Sequence, residues 1–298
     1  MFELFVVILV FSIVLFFYIH IYHNYKTSND LEVYEIERVS KEKLEEVCNL
    51  KQPFMFNYDE PIIQNTDLYI LASHYSTFDL NIRKNITEDS IIDNSDMQEE
   101  TVPLPVEEAL ALFKRDTTSS YFTEFNQEFL NESGIQKQIQ TDDGYLRPPL
   151  VTNCLYDVLT GASGANTPLR YDVNYRNYYL VTHGSVSITL IPPKYSKYLY
   201  PQNDYENFEF KSPINVWNVQ QKYKADYNKS KHIKVVLNPG KIIYIPPYWW
   251  YSIKFNKKAC ITTMKYRTVM NNVSISPCFF MHFLQSVSYT HLTLPTKA

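Results

Sequence analysis

The stretch Leu237-Asn238-Pro239-Gly240-Lys241-Ile242-Ile243-Tyr244-Ile245-Pro246-Pro247-Tyr248-Trp249-Trp250-Tyr251 decides the fold. Pro239 presets the first central position of a tight turn and Gly240 accepts positive φ at the second, so the chain reverses direction just before residue 241. Residues 242–245 are then β-branched and aromatic, and Pro246-Pro247 closes the run. Upstream, Val186, Ile188 and Leu190 alternate with Ser185, Ser187 and Thr189, the period of a strand with one buried face. Further β-rich runs at 178–183, 234–237, 251–255 and 259–266 are separated by turn signals at the intervals of a sandwich or barrel. This half of the chain reads as mainly β, an antiparallel jelly-roll barrel.

Composition sets the outer limits. The 298 residues carry 28 Lys+Arg against 32 Asp+Glu, a net charge of -4, which gives no polyanion-binding surface and argues against a nucleic-acid partner. Apolar residues make up 45% and charged residues 20%, enough to bury a sizeable core. The four cysteines, Cys48, Cys154, Cys260 and Cys278, are too far apart for a zinc-type pairing and read as ordinary thiols.

The first 26 residues form the first segment. From Leu4 to Tyr22 the chain is apolar or aromatic apart from Ser12 and His20, about the ~20 residues that a helix needs to cross a bilayer. The absence of a basic start and of a small-residue cleavage site favours an uncleaved signal anchor. Lys26, Arg38, Lys41 and Lys43 follow the span while only Glu3 precedes it, so the positive-inside bias places the large domain in the cytosol. Sequons beginning at Asn85, Asn131, Asn228 and Asn272 would matter if the domain were instead lumenal.

Residues 27–145 follow as strand and helix elements. Residues 27–32 read as a polar linker, Ser40 as the N-cap of a helix containing Leu44 and Val47, and 106–115 as a second helix with Glu107 and Glu108 in its first turn. The acidic stretch 87–101 reads as a solvated loop. The β-rich core spans 146–285, and the tail 286–298 reads as an artefactual ending, so His291 is given no weight.

Several blocks in order carry a resemblance: Leu146-Arg147-Pro148-Pro149; Thr167-Pro168-Leu169-Arg170-Tyr171-Asp172; Asn177-Tyr178-Tyr179 with His183-Gly184; Leu190-Ile191-Pro192-Pro193; and the 237–251 stretch. Together they resemble the cupin-like, JmjC-type branch of the iron- and 2-oxoglutarate-dependent oxygenases. The resemblance implies a double-stranded β-helix with flanking helices. It also implies Fe(II) held by two His and one carboxylate, with 2-oxoglutarate as cosubstrate.

At the matching positions the H-x-D pair reads Arg170-Tyr171-Asp172, and the second His is Tyr251. Arg has no lone pair to donate and repels a dication, so Arg170 is no metal ligand. The usual cosubstrate-binding Lys falls on Val186. Asn177, Val186, Trp249 and Trp250 are taken as pocket candidates, with the two tryptophans read as packing residues at the entrance of a strand. No catalytic residue and no metal ligand are expected, and no cofactor.

Three readings of the Arg170, Asp172 and Tyr251 positions stay open. In one, Arg170 pairs with Asp172 and the Tyr251 hydroxyl completes a polar interior. In another, Arg170 and Tyr251 bind a small anion or a peptide carboxylate. In the third, a metal is recruited through another histidine, with His183, His232 and His74 weighed and found weak. The expectation is a single-span membrane protein whose degenerate cupin-like domain acts as a binding or scaffolding module for an unknown protein or small anionic ligand. The alternative is an active Fe(II)- and 2-oxoglutarate-dependent protein hydroxylase.

Overall fold

A computed structural model describes residues 2–84 and 101–292. Apart from Thr101, the acidic loop expected near 87–101 lies outside the described residues, as do tail residues 293–298. Two sheets face each other in a jelly-roll sandwich. The larger has nine strands, in the order Tyr34–Glu35, Phe54–Asn57, Lys241–Ile245, Arg176–His183, Ala259–Thr268, Val151–Gly161, Tyr121–Thr123, Asp79–Lys84 and Val102–Pro105. The smaller has six: Gln202–Asp204, Glu209–Ser212, Leu169–Tyr171, Trp250–Phe255, Val186–Ile191 and Ile233–Leu237.

Side-chain parity builds the core. Val186, Ile188 and Leu190 turn inward as their alternation requires, and Tyr251, Ile253 and Phe255 join them from the neighbouring strand; all six are fully buried. They meet the inner face of the larger sheet, where the Tyr179 and Tyr251 rings lie 5.2 Å apart. Trp250 has the opposite parity and packs outward with Leu199, Ile214, Val216 and Tyr227. On the outer face of the larger sheet lies the helix Lys41–Asn49. Ser40 caps it by accepting from the Lys43 amide at 3.3 Å, and the Cys48 thiol sits 3.2 Å from the Tyr178 hydroxyl. The Asn238-Pro239-Gly240 turn closes as read, with Gly240 at φ +83 and the Lys241 amide donating to the Asn238 carbonyl at 3.1 Å.

The N-terminal helix Phe2–Tyr25 has 24 residues and is long and apolar enough to cross a membrane, and no residue of its most apolar stretch is buried among the described residues. Its last turn does touch the domain. Tyr25 donates to the Ser274 carbonyl at 2.6 Å and stacks on Tyr248, while the Lys51 ammonium donates to the carbonyls of His23 and Asn24. Lys51 thereby satisfies carbonyls that a helix C-terminus leaves without partners.

The expected linker at 27–32 is instead a strap laid on the domain. The Ser28 amide donates to the Lys51 carbonyl at 3.2 Å, the Trp249 indole donates to the Ser28 carbonyl at 3.0 Å, and the Lys194 amide donates to the Asn29 side chain at 2.9 Å. Polar composition misled here because the partners of this segment elsewhere in the domain lie 20 to 221 residues away.

Candidate functional site

Arg170 and Asp172 bracket the end of the short strand Leu169–Tyr171, and Tyr251 lies directly across from Arg170 in antiparallel register. The i, i+2 spacing turns Arg170 and Asp172 to the same side, into a cavity of about 310 Å³ between the sheets. From the larger sheet, Thr263, Lys265 and Arg267 share one parity and line the same cavity. The three positions matched to the metal triad are therefore together: the spacing implied this for Arg170 and Asp172, and the resemblance for Tyr251.

The pairing differs from the one expected. Arg170 does not pair with Asp172. Its guanidinium reaches Glu124 at 2.5 Å and Glu209 at 3.4 Å, and its Nε donates to the Tyr251 hydroxyl at 3.2 Å. Asp172 pairs with Lys265 at 2.9 Å and accepts from the hydroxyls of Tyr179 at 2.7 Å and Tyr251 at 2.9 Å. Tyr251 accepts on one side and donates on the other, linking the two ion pairs. A second guanidinium, Arg83, shares both Glu124 and Glu209. Two buried guanidiniums need two carboxylates, and Asp172 is already held by Lys265.

The charges follow from this arrangement. Burial alone would push the Glu124 carboxyl up, but Arg170 and Arg83 outweigh it and hold it below the usual range. Burial likewise opposes ionisation of Asp172, and Lys265 and Arg170 reverse the sign to hold it low. Burial works against the charge on Lys265, yet Asp172 and Tyr251 keep its pKa raised. Tyr251 moves the other way from a metal-binding phenolate: burial raises its hydroxyl pKa despite Arg170 close by.

The four pocket candidates line no part of this cavity. Val186 is fully buried opposite Leu237 and Phe255, four residues along its strand from Leu190, or about 13 Å from the level of Tyr251 at ~3.3 Å per residue. Trp249 and Trp250 are fully buried with their indole nitrogens on the Ser28 carbonyl and the Ser196 hydroxyl. Asn177 is buried and donates to the Ile245 carbonyl at 3.1 Å. Its role is indirect, through Asn174, whose amide donates to the Asn177 side chain at 3.2 Å. Among the histidines, His183 faces Asp67 at 2.9 Å and His232 stacks on Tyr227, and neither lines the cavity.

The cupin-like domain family profile matches residues 45–271, well over half of the chain and the whole of both sheets apart from their edge strand. The chain belongs to the cupin-like domain family. Among curated relatives of this cupin-like chain, the human protein named HSPB1-associated protein 1 is 32% identical over 95 residues, covering 32% of this chain and 20% of its own length. The JmjC domain-containing protein D of Dictyostelium discoideum is 34% identical over 94 residues, covering 32% and 21%. The zebrafish homologue of the first is 30% identical over 95 residues, covering 32% and 21%. The match thus spans about a fifth of the length of each relative.

Sequence reading missed Glu124, Glu209, Lys265, Arg83 and Arg267. Each lies outside the matched motif blocks, and their pairings join residues 39 to 126 positions apart. One usable signal was present: Lys265 and Arg267 break an otherwise apolar and Thr-rich strand at alternate positions, which places two cations on one face.

The lowered carboxyl pKa values set an acid dependence. Asp172 and Glu124 ionise more readily folded than unfolded, so their contribution is complete above the unfolded carboxylate range near ~4 and lost as pH falls through the lowered folded values. Asp172→Asn is expected to be less stable than the parent in urea at pH 7, with the gap shrinking below pH ~4 as the parent loses the same charge. A gap that does not change with pH would contradict the assignment.

Proposed function

We propose that this chain is a membrane-anchored cupin-like module that binds a partner and does not catalyse oxygenation. The observation that carries the reading is the Arg170 guanidinium at the position where the family places a histidine, locked between Glu124, Glu209 and the Tyr251 hydroxyl. The residues present do not fit a ferrous ion. One triad position holds a cation, another holds a hydroxyl whose pKa is raised by burial, and the one carboxylate is engaged by an ammonium and two hydroxyls. No oxidative step is routed through this site.

A protein partner is supported by the name of the human relative, which describes association with another protein. Membrane anchoring is supported by the 24-residue N-terminal helix, about 36 Å long at ~1.5 Å per residue, against a hydrocarbon layer of ~30 Å. The basic residues after it, Lys26, Arg38, Lys41 and Lys43, favour a cytosolic domain.

The metal reading is tested by calorimetric titration of the purified full chain with Fe(II), and with Mn(II) as a redox-inert substitute, with and without 2-oxoglutarate. No heat of binding is expected in either condition, and metal binding strengthened by 2-oxoglutarate would overturn the proposal. Arg170→His with Tyr251→His is expected to remain metal-free while Lys265 occupies Asp172, and to bind Mn(II) once Lys265→Met is added. Separately, the chain expressed in cells is expected to stay with membranes through alkaline carbonate extraction and to be released when residues 2–25 are deleted. Full extraction of the intact chain would contradict anchoring.

A further inference from the structure

Among the described residues, the charged side chains lining the cavity are ion-paired with two exceptions, Asp157 and Arg267. Arg83 and Arg170 are matched by Glu124 and Glu209, and Lys265 is matched by Asp172. Asp157 also lines the cavity, but its two oxygens accept the backbone amides of Phe125, Asn126 and Val158 at 2.7 to 2.9 Å. That leaves Arg267.

Arg267 lines the cavity without a carboxylate within ion-pair distance among the described residues. Its guanidinium is held on three sides. Phe208 lies 5.1 Å from it and Phe279 5.8 Å, and Nε donates to the Asn174 side-chain oxygen at 2.6 Å. Asn174 is itself fixed by Asn177, which is anchored on the Ile245 carbonyl. Aromatic contacts and an oriented Nε edge leave the outer edge, Nη1 and Nη2, with no hydrogen-bond partner among the described residues. A planar, pre-oriented fork of two N–H groups is the geometry that receives a carboxylate or phosphate through two parallel hydrogen bonds.

We propose that Arg267 is the anchor of an oxyanion-binding site, taking the carboxylate or phosphate of a small ligand whose remaining polar groups face Asn174, Asn207 and Lys265 in the cavity. A volume of about 310 Å³ sets the ligand at metabolite size, at the lower end of the range for small-molecule sites, ~300–1,000 Å³. Burial lowers the Arg267 pKa, and the Asp172 carboxylate across the cavity opposes this without reversing it. Asn174 and Asn177 are positioning residues. The proposal goes beyond the binding role proposed above, because it names the atoms and the class of ligand, and it does not depend on whether the domain has lost its metal.

Phe279 belongs to the C-terminal helix Ser276–Leu292, which carries no Asp, Glu, Lys or Arg and exposes Phe280 and Phe283 by 61% and 60%. That helix follows directly on the turn that receives Tyr25 at the end of the N-terminal helix. The same oxyanion chemistry can therefore be presented by a free metabolite or by a lipid headgroup at the membrane surface.

The test uses the full chain in detergent, titrated calorimetrically with glycerol 3-phosphate and with succinate. In a second arm the chain is reconstituted in nanodiscs of pure phosphatidylcholine or with added phosphatidic acid, and titrated with the same soluble probes. Saturable binding is expected in detergent. Arg267→Gln is expected to lower affinity by about 10- to 100-fold, Arg267→Lys by about 10-fold, and Asn174→Ala by a smaller factor, with thermal unfolding unchanged in the Arg267 variants. Competition by phosphatidic acid against the soluble probe would support the site with the headgroup as source, and its absence would support a free ligand. No saturable binding of either probe, in either arm, would overturn the proposal, as would binding equal in the parent and Arg267→Gln. Binding that requires added Fe(II) would overturn both this assignment and the metal-free reading, whereas failure of the metal-free reading alone would leave the Arg267 dependence intact.

Discussion

A guanidinium enclosed between two sheets has to be matched by carboxylates, and much of this molecule's interior follows from that requirement. Arg170 sits 7% exposed on the smaller sheet, and its partner Glu124 is 1% exposed just beyond a strand of the larger. Arg83 from the larger sheet and Glu209 from the smaller complete the set, so the four charges cross-tie the sheets at one end of the sandwich. The three positions matched to the metal triad all lie on or at the end of two neighbouring strands of the smaller sheet, whereas these ion pairs join one sheet to the other. In this chain the tie is made by hydrogen-bonded ion pairs, whose net contribution is smaller than the cost of removing any one member.

The Tyr251 hydroxyl carries this arrangement to the second ion pair. By accepting from Arg170 and donating to Asp172 it sets the orientation of the Asp172 carboxylate, which the Lys265 ammonium and the Tyr179 hydroxyl then share. The retained carboxylate has become the counter-ion of a lysine. With both pairs satisfied internally, the cavity offers a ligand Arg267 and neutral polar groups, which is a reason to expect a ligand held there through one anionic group.

The strands were legible because their signals are local. Residues 241–245 appear as read, the alternation at 185–191 produced the inward face, and Ser40 capped its helix. The convergence of Arg170, Asp172 and Tyr251 was legible through the motif blocks. What the motifs could not carry was who pairs with whom, since Glu124, Glu209 and Lys265 arrive from three separate strands or strand ends and no local pattern ranks one carboxylate over another. The strap at 27–32 was missed for the same reason. Its polarity is that of a linker, and only the fold brings Lys51, Lys194 and Trp249 against it. Together with this strap, Tyr25 and Lys51 hold the last turn of the N-terminal helix against the domain.

At the position matched to a metal-binding histidine, the buried Arg170 is paired with Glu124. A double-mutant cycle reads this directly, with unfolding free energies measured for the parent, Arg170→Met, Glu124→Leu and the pair. Each single change should cost about 3–5 kcal/mol by stranding a buried charge. The double change should cost clearly less than their sum, a coupling of at least ~2 kcal/mol. Additive costs would mean that the two groups do not act as a unit, and the account of the interior as built on this ion pair would be contradicted.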